Sequence, residues 1–305
     1  MIVKILNIIL LLIVPFLMTG IIRKTKAFWG ARYGASIFQP FFDFIKLMKK
    51  DSIFSSSTTL LFKIAPVISF VCVIFASLFT PMLMGEAVIN IQGGLIIFAY
   101  ALGLSKFISL LASMETASSF EGMGSSREAC FTTIIEPAFF IVIASIMALS
   151  KIYTFDSLNF VITSSGSLGI LIILFAVLCL SIMLITEGAR VPVDDPATHL
   201  ELTMIHEVMI LDNCSQELAI ISYSAWAKMF LISSLIAALV IPMHLTIWAS
   251  LGAFLGIMIL ISVIVGTIES AIARLRMSHV FEFVFVMSSL ALVVASLVAL
   301  KLYGV

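Results

Sequence analysis

The sequence predicts an all-α, polytopic membrane protein with about eight transmembrane helices. Of its 305 residues, 62% are hydrophobic and only 11% are charged, and the mean hydropathy is +1.22, whereas a soluble domain carries about 25% charged residues. The 17 basic and 17 acidic residues cancel to a formal net charge of zero. So few charges cannot cover a water-facing surface, and a neutral chain offers no polybasic surface. The composition therefore excludes a soluble enzyme, a disordered chain and a nucleic-acid-binding protein.

Eight apolar stretches predict the membrane-spanning helices, because a hydrocarbon core of about 30 Å requires roughly 20 residues. The first is predicted to be a retained helix rather than a cleaved signal peptide, since Arg23, Lys24 and Lys26 follow it instead of preceding it. Together the stretches make one membrane domain over residues 1–305. They cover approximately residues 3–22, 64–85, 93–113, 131–150, 167–187, 226–242, 246–266 and 280–300.

The distribution of basic residues predicts the orientation. The first, third, fifth and seventh connections, with the helix ends that border them, hold thirteen lysines and arginines, whereas the other side holds Lys4, Lys151 and Lys301. By the positive-inside rule, both termini face outward, and the long loops 23–63 and 188–225 face the cytoplasm. We therefore expect a multi-pass protein of the cytoplasmic (inner) membrane.

One cytoplasmic loop contains a segment whose sequence predicts an amphipathic helix. Residues 41–50 read FFDFIKLMKK, which would place the Phe, Ile, Leu and Met side chains inward and Lys46, Lys49 and Lys50 outward. A helix of this kind lies in the plane of the membrane interface.

The four cysteines, Cys72, Cys130, Cys179 and Cys214, lie far apart in the sequence. Zinc sites and iron–sulfur clusters require closely spaced thiolates such as C-x2-C. We therefore expect no metal site and no redox cofactor on this chain, and we expect any redox chemistry to belong to another polypeptide.

The connection 187–217 is acidic, with Arg190 as its single base. Asp195-Pro196 is a typical helix start and predicts a helix over residues 197–212. On that helix Glu201 and Asp212 would share a face with apolar residues, which is expensive unless the acids are paired or change protonation state. This favours proton-handling groups, and ion pairs with partner subunits are the alternative. The acids are Glu187, Asp194, Asp195, Glu201, Glu207, Asp212 and Glu217.

The same helix would bring His199 and His206 to one face, together with Thr203 and Ile210. The two histidines lack the H-E-x-x-H spacing of a zinc site. A hydrogen-bonding or interface role is therefore predicted for them rather than a metal-binding role.

Three segments resemble a known family. EGARVPVDDPATHLELTMIHEVMILDN at 187–213 resembles the signature of the membrane subunit of energy-converting (group 4) nickel–iron hydrogenases. This group includes formate hydrogenlyase subunit 4 and is homologous to subunit 1 of NADH:quinone oxidoreductase, complex I. RYGASIFQPFFDFIKLMKK at 32–50 and GSSREA at 124–129, followed by Glu136-Pro137, resemble two further segments of the family.

The resemblance implies a non-catalytic subunit that anchors a redox arm. Hydrogenase large and small (iron–sulfur) subunits would dock at the cytoplasmic face and carry the nickel–iron site and the iron–sulfur clusters. Antiporter-like and small membrane subunits would lie alongside in the bilayer. The matching segments imply the following docking and loop-motif residues: Arg32, Gln39, Pro40, Asp43, Lys46, Arg127, Glu128, Arg190, Asp194, Asp195, His199 and His206.

Ionisable residues within membrane spans are functional candidates by default. We predict proton transfer from the loop acids to groups in the cytoplasmic half of the bundle. Acids near helix ends, such as Glu115, Glu187 and Glu269, could instead simply reach the aqueous interface. Because the outer halves of the spans hold almost no titratable residue, the predicted path is a half-channel that passes charge sideways to a neighbouring subunit. The proton-transfer candidates are Glu201, Glu207, Asp212, Glu136, Glu115, Glu187, Glu282 and Lys106.

These observations predict the membrane subunit of a membrane-bound hydrogenase or formate hydrogenlyase-like complex, which couples electron transfer to proton or other ion translocation. One alternative is subunit 1 of NADH:quinone oxidoreductase, in which the same loops would line a quinone cavity. An alternative of another class is a stand-alone ion transporter, which would need a polar path through both halves of the membrane.

Overall fold

The structure, a computed structural model, describes residues 2–55, 58–150, 166–194, 204–242 and 245–303. These ranges form nine α-helices and contain no β-strand. All except α2 are long and apolar enough to cross a membrane, which confirms the predicted all-α fold with eight candidate spans. The helices are α1 (Ile2–Trp29), α2 (Gln39–Met48), α3 (Leu60–Ser77), α4 (Gly94–Glu115), α5 (Ser119–Ser150), α6 (Gly166–Glu187), α7 (Ser215–Val240), α8 (Ile247–Ala271) and α9 (Met277–Tyr303).

Several helices extend beyond the apolar stretches that predict them. We call the end of the bundle that carries the connections 30–38, 49–59, 188–214 and 272–276 the basic end. At this end α1 continues to Trp29, α5 begins at Ser119, and α7 begins at Ser215. Hydropathy detects only the part of a helix that matches the hydrocarbon core, whereas a formed helix gains a backbone hydrogen bond with each added residue. The helices therefore extend beyond the predicted span boundaries at 22, 131 and 226 by about two to three turns.

Helix α7 lies at the centre of the bundle. Its residues from Met229 to Leu239 are buried without interruption, as expected of a helix surrounded by other helices. It packs against α1, α2, α3, α6 and α8, while α4 packs on α3, and α9 packs on α5 and α6. The connections at the basic end thereby lie near the N-terminal half of α7.

Helix α2 confirms the predicted amphipathic helix, although it covers Gln39–Met48 rather than 41–50. Phe44 packs inward against Phe16, with ring centroids 5.6 Å apart, and against Tyr223 at 5.8 Å. The three lysines are exposed, as predicted. The inward placement of Phe41, Phe42 and Met48 is wrong, since 42%, 57% and 39% of their surfaces are exposed. Apolar side chains on both sides of the helix fit a position within the membrane interface.

Gly20 determines how closely the segment before α2 approaches α1. A Cβ atom at this position would lie 1.9 Å from the carbonyl oxygen of Ile37. Only glycine leaves room for such a backbone contact. The contact directs the chain from α1 back across the basic end.

The predicted helix over 197–212 is wrong in the part that the structure describes, 204–212. This part contains only a 3-10 turn, Val208–Ile210. The Asp194 carboxylate accepts the backbone N–H groups of Ile205 and His206 at 3.1 and 3.0 Å, which in an α-helix would bond to carbonyl groups four residues earlier. Asp212 is exposed rather than placed on an apolar face. Residues 195–203 lie outside the described part of the chain.

The opposite end of the bundle is closed by the connection 78–93. Asn7 of α1 donates to the carbonyl of Glu86 at 3.0 Å and accepts the N–H of Leu83 at 3.3 Å. Ser250 of α8 accepts the N–H of Met84 at 3.0 Å. These bonds satisfy backbone groups that would otherwise be buried without partners. They also fix the connection across the ends of α1 and α8.

Candidate functional site: a chain of charges beneath the acidic loop

Six charged side chains form a continuous series that runs from the basic end into the bundle, and we call this series the charged chain. Arg274 Nη2 lies 3.0 Å from Asp194 Oδ1. His206 then lies between two carboxylates, with Nδ1 3.8 Å from Asp194 Oδ2 and Nε2 3.5 Å from Glu128 Oε2. The other Glu128 oxygen lies 2.9 Å from Lys106 Nζ. Lys106 also pairs with Glu187. The members alternate in sign from one end to the other.

The inner part of the charged chain is buried inside membrane-spanning helices. The exposed fractions of the side chains are 10% for Lys106, 6% for Glu128 and 10% for Glu187. A charge can remain in such a place only if it is paired, because the low dielectric penalises an isolated ion. The burial of Glu187 contradicts the alternative that this acid simply reaches the aqueous interface.

The N-terminal part of α5 lies against the connection between α6 and α7, which we call the acidic loop and which the structure describes over 188–194 and 204–214. Four α5 positions, 121, 124, 127 and 128, face the loop, as expected from helical spacing. Glu121 Oε1 accepts the N–H of Asp212 at 3.0 Å, and Arg127 Nη1 donates to the carbonyl of Met204 at 2.9 Å. At Gly124 a Cβ atom would lie 2.9 Å from the Ile205 carbonyl oxygen. The loop segment 204–212 is therefore hydrogen-bonded to α5 at Met204 and at Asp212. Between these two residues it packs directly on the helix.

A cavity of about 370 Å³ lies beneath the loop. Its volume exceeds the roughly 30 Å³ share of one water molecule more than tenfold. His206 and Glu207 line it near the loop, and Lys106 and Glu187 line its inner end. Polar groups of α1 and of α7, Thr19 and Ser224 among them, line its sides. The cavity thus connects the acidic loop with the buried charges.

A smaller cavity of about 40 Å³ continues beyond the charged chain. Lys106, Glu187 and Lys228 line both cavities, so these three side chains lie between them. Glu136 lines only the inner cavity, among apolar side chains of α4, α5 and α6. A volume of this size holds one or a few waters where polar partners are present. Glu136 and Lys106 therefore both face this inner cavity.

A second group of charges adjoins the cavity. Glu269 is fully buried and lies 3.3 Å from Arg190 Nη1 and 2.9 Å from Lys26 Nζ. Two cations thus share one buried carboxylate and connect α1, α8 and the loop. The alternative that Glu269 reaches the aqueous interface is therefore wrong.

Neighbouring charges shift the pKa values of two loop residues, His206 and Asp194. Burial by itself would lower the pKa of His206, but the carboxylates of Glu128 and Asp194 outweigh burial and raise the pKa above its ordinary value of 6.5. Burial would raise the pKa of Asp194, but the hydrogen bond and charge of His206, together with Arg274, hold the pKa below its ordinary value. Both shifts favour the charged forms, so the two groups stabilise each other as an ion pair.

We expect His206→Gln to destabilise the purified complex in a pH-dependent way. The raised pKa means that the wild type gains stability from protonated His206 below pH 6.5 and loses that gain as the pH rises through the raised pKa. Thermal unfolding of the complex in detergent between pH 5.5 and 9 measures the difference. His279→Gln is the matched control, because His279 is 54% exposed and pairs only with Glu282 in the described part of the chain. A difference that grows toward high pH would contradict the assignment.

The structure brings part of the predicted proton-transfer set together. Glu187, Glu136, Glu207 and Lys106 line the two cavities. The other described candidates lie elsewhere: Glu115 accepts the N–H of Thr59 at 2.7 Å, Asp212 is exposed, and the Glu282 side chain is 74% exposed. Glu201 lies outside the described residues.

The predicted docking residues fall into three groups. Glu128, Arg190, Asp194 and His206 are part of the charge networks, and Arg127 fixes the loop. Asp43 accepts from Gln39 at 2.7 Å and pairs with Arg23 at 3.1 Å, at the start of α2 where Pro40 is buried. Arg32 and Lys46 are exposed at the basic end. Asp195 and His199 lie outside the described residues.

Three residues of the site, Lys228, Glu121 and Arg274, have no role predicted from the sequence. The predicted span that begins at 226 places Lys228 at the border of a loop. In the structure Lys228 lies in the middle of α7 and lines both cavities. The polar segment 215–225 continues a helical pattern from Ser215, and recognising that helix start would place Lys228 inside the bundle. Glu121 contacts Asp212, 91 positions away, and Arg274 contacts Asp194, 80 positions away. Contacts over such distances in the sequence cannot be recognised from a local sequence pattern.

Comparisons with known proteins agree with this architecture. The chain is 27% identical over 238 residues to hydrogenase-4 component C of Escherichia coli (strain K12), which covers 77% of this chain and 73% of that protein. It is 26% identical over 121 residues to formate hydrogenlyase subunit 4 of the same organism, which covers 40% of this chain and 39% of that protein.

A solved structure has the same fold. A chain of the membrane-bound sulfane sulfur reductase, an archaeal respiratory membrane complex, superimposes with a TM-score of 0.80 at 20% identity, covering 97% of this chain and 98% of that chain. These similar proteins are subunits of multi-subunit membrane complexes. The family model described as NADH dehydrogenase matches residues 2–300, and the chain therefore belongs to the NADH dehydrogenase family.

Proposed function

We propose that this chain is the membrane subunit of a membrane-bound hydrogenase or formate hydrogenlyase-like complex, where it couples electron transfer in a redox arm to translocation of protons or another cation. The observation that carries the proposal is the charged chain, which joins the acidic loop at the basic end to acids inside the membrane-spanning helices. The similarity to hydrogenase-4 component C and formate hydrogenlyase subunit 4 supports the hydrogenase class over the other members of the family.

The coupling step would depend on the unequal number of charges around Lys106. One ammonium group faces two carboxylates, Glu128 at 2.9 Å and Glu187. Because Coulomb energies are large in a low dielectric, a change of charge in the cavity above would favour one of the two pairs over the other. The carboxylate that loses its cation would then take up a proton. Lys106 thereby acts as the group that transmits charge changes from the cavity to the bundle interior.

Proton uptake would begin in the acidic loop. Glu207 and His206 line the cavity beneath the loop, and the loop acids Glu201 and Asp212 would supply protons from the basic end. From Glu187 and Lys106, the inner cavity leads to Glu136. Among the described contacts, no direct hydrogen bond joins Glu187 to Glu136. Water in the inner cavity would therefore have to connect them.

The path would end as a half-channel. Beyond Glu136 the centre of the bundle consists of the uninterrupted buried segment Met229–Leu239 of α7. Its two serines, Ser233 and Ser234, donate to carbonyl groups of their own helix and offer no onward donor. A charge crossing this half alone would be expensive. We therefore propose that Glu136 passes charge sideways to an adjacent membrane subunit.

The proposal includes partners, cofactors and location. Hydrogenase large and small subunits would dock at the basic end, antiporter-like and small membrane subunits would lie beside the bundle, and the assembly would lie in the cytoplasmic membrane. The nickel–iron site and the iron–sulfur clusters would be held by the docked subunits. The exposed residue Lys46 would contribute to docking from the first loop.

The proposal is tested by purifying the tagged chain with its partners in mild detergent. We expect iron–sulfur subunits to copurify, nickel and iron to be present, and a redox dye to be reduced by hydrogen. The isolated chain should show no redox activity. Iron without nickel, combined with NADH-dependent quinone reduction, would instead indicate subunit 1 of a complex I. A single chain that transports ions in liposomes would contradict the proposal.

A further inference from the structure

A separate cavity of about 470 Å³ opens at the basic end, between the ends of α1 and α8. Its main lining side chains are Lys26, Trp29, Arg32, Tyr33, Glu269 and Ser270. It holds none of the intramembrane acids of the charged chain. The first loop brings Arg32 and Tyr33 to one wall, and the last turn of α8 brings Glu269 and Ser270 to the other.

The electrostatics of this cavity favour an anion. Its one acid, Glu269, is already shared by two cations, Lys26 at 2.9 Å and Arg190 at 3.3 Å. Lys24 donates to the carbonyl of Gly34, which also lines the cavity, at 3.4 Å. Among the residues that the structure describes, no acid lies within 4 Å of the Arg32 guanidinium. Two cations, Lys26 and Arg32, therefore line the cavity against one carboxylate, and two more, Lys24 and Arg190, contact its lining residues Gly34 and Glu269.

An apolar stripe leads from the membrane interior to this cavity. On α8, Leu260 and Ile264 are exposed, at 56% and 47%, and Thr267 and Ser270 continue the same face at helical spacing. Ser270 forms part of the cavity wall. Trp29, 61% exposed, stands beside it, as tryptophans commonly do at the level of lipid headgroups. The surface thus offers room for acyl chains below and a basic cavity above.

We propose that the cavity between α1 and α8 binds the headgroup of an anionic phospholipid. The phosphate group would lie against Arg32 and Lys26. The acyl chains would lie along Leu260 and Ile264. Basic pockets between membrane helices on the cytoplasmic side are suited to such headgroups, because the charge and the apolar surface act together. The inference does not depend on the proposed function.

The test measures lipid binding to the purified, delipidated complex in detergent. Dioleoyl phosphatidylglycerol and dioleoyl phosphatidylcholine are titrated separately, and bound lipid is counted by native mass spectrometry. We expect phosphatidylglycerol to bind more tightly than phosphatidylcholine, and Arg32→Gln to weaken phosphatidylglycerol binding about fivefold per lost charge. Arg32→Lys should retain most of the affinity. Lys49→Gln is the matched control, since Lys49 is exposed at the end of α2 and does not line the cavity.

Four outcomes would overturn the inference. Equal affinity for the two lipids would remove the anionic preference, and an unchanged affinity in Arg32→Gln would place the lipid elsewhere. Displacement of phosphatidylglycerol by an equal concentration of inorganic phosphate would assign the cavity to a free anion. Loss of copurifying soluble subunits in Arg32→Gln, with phosphatidylglycerol binding intact, would assign this surface to protein docking.

Discussion

Lys106→Met is expected to abolish coupled turnover and to destabilise the complex by about 3 kcal/mol or more, because removing one partner of a buried ion pair leaves an uncompensated charge. Lys106 pairs with both Glu128 and Glu187, whose side chains are 6% and 10% exposed. The change would therefore leave two buried carboxylates close together. Thermal unfolding of the purified complex measures the stability, and ion uptake by proteoliposomes during turnover measures the coupling.

Two variants separate structural damage from lost proton handling. Lys106→Met combined with Glu187→Gln removes one charge of each sign, so it should regain much of the lost stability while the complex stays uncoupled. Lys4→Met, at an exposed position near the start of α1, should behave as the wild type. Wild-type coupling in an assembled Lys106→Met complex would contradict the role given to Lys106.

Gly124→Ala is the second change with a large expected effect. Its Cβ would lie 2.9 Å from the backbone oxygen of Ile205 and 2.9 Å from Met209 Cγ. The carbonyl can move away only if the loop moves, which would carry His206 away from Glu128. Overpacking of this kind costs about 1–3 kcal/mol. We therefore expect the complex to lose stability by about this amount and coupled turnover to fall, because His206 would no longer face Glu128.

The same helix provides a control two residues away. At Gly122 a new Cβ would meet no atom within 4 Å, and alanine is favoured over glycine inside a helix by about 0.5–1 kcal/mol. Gly122→Ala should therefore retain activity and match or slightly exceed the wild type in thermal stability. Limited proteolysis of the loop 204–212 should show faster cleavage in Gly124→Ala alone. Equal cleavage and equal turnover in the two variants would contradict the argument.

In the proposed function, the charged chain would allow one small set of residues to serve both assembly and coupling. Arg274, at the connection before α9, holds Asp194, and Asp194 in turn binds the N–H groups of Ile205 and His206. The loop is thus positioned by the same carboxylate that faces the titrating imidazole. A protein that docks on the loop would change the surroundings of His206 directly, without moving a membrane helix.

The sequence alone determined the class of the protein, its eight spans, the amphipathic α2 and the family. These features depend on local properties: the length of an apolar run measured against the bilayer, the spacing of apolar residues along one helix, and contiguous motifs. It also identified Lys106, Glu136 and Glu187 as unusual, because an ionisable residue inside a long apolar stretch is conspicuous without any knowledge of its neighbours.

The tertiary structure alone decided which charges meet. Lys106 and Glu187 are 81 positions apart, and their pairing depends on how α4 and α6 pack around α7. It also decided that 204–212 is not helical, since the side chain of Asp194 takes backbone N–H groups that a helix would use in its own hydrogen-bond ladder. It also showed that Lys228 lies in the walls of both cavities of the charged chain rather than at the border of a loop. Hydropathy cannot supply these results, because it measures a solvent preference, whereas ion pairs depend on the positions of two side chains in space.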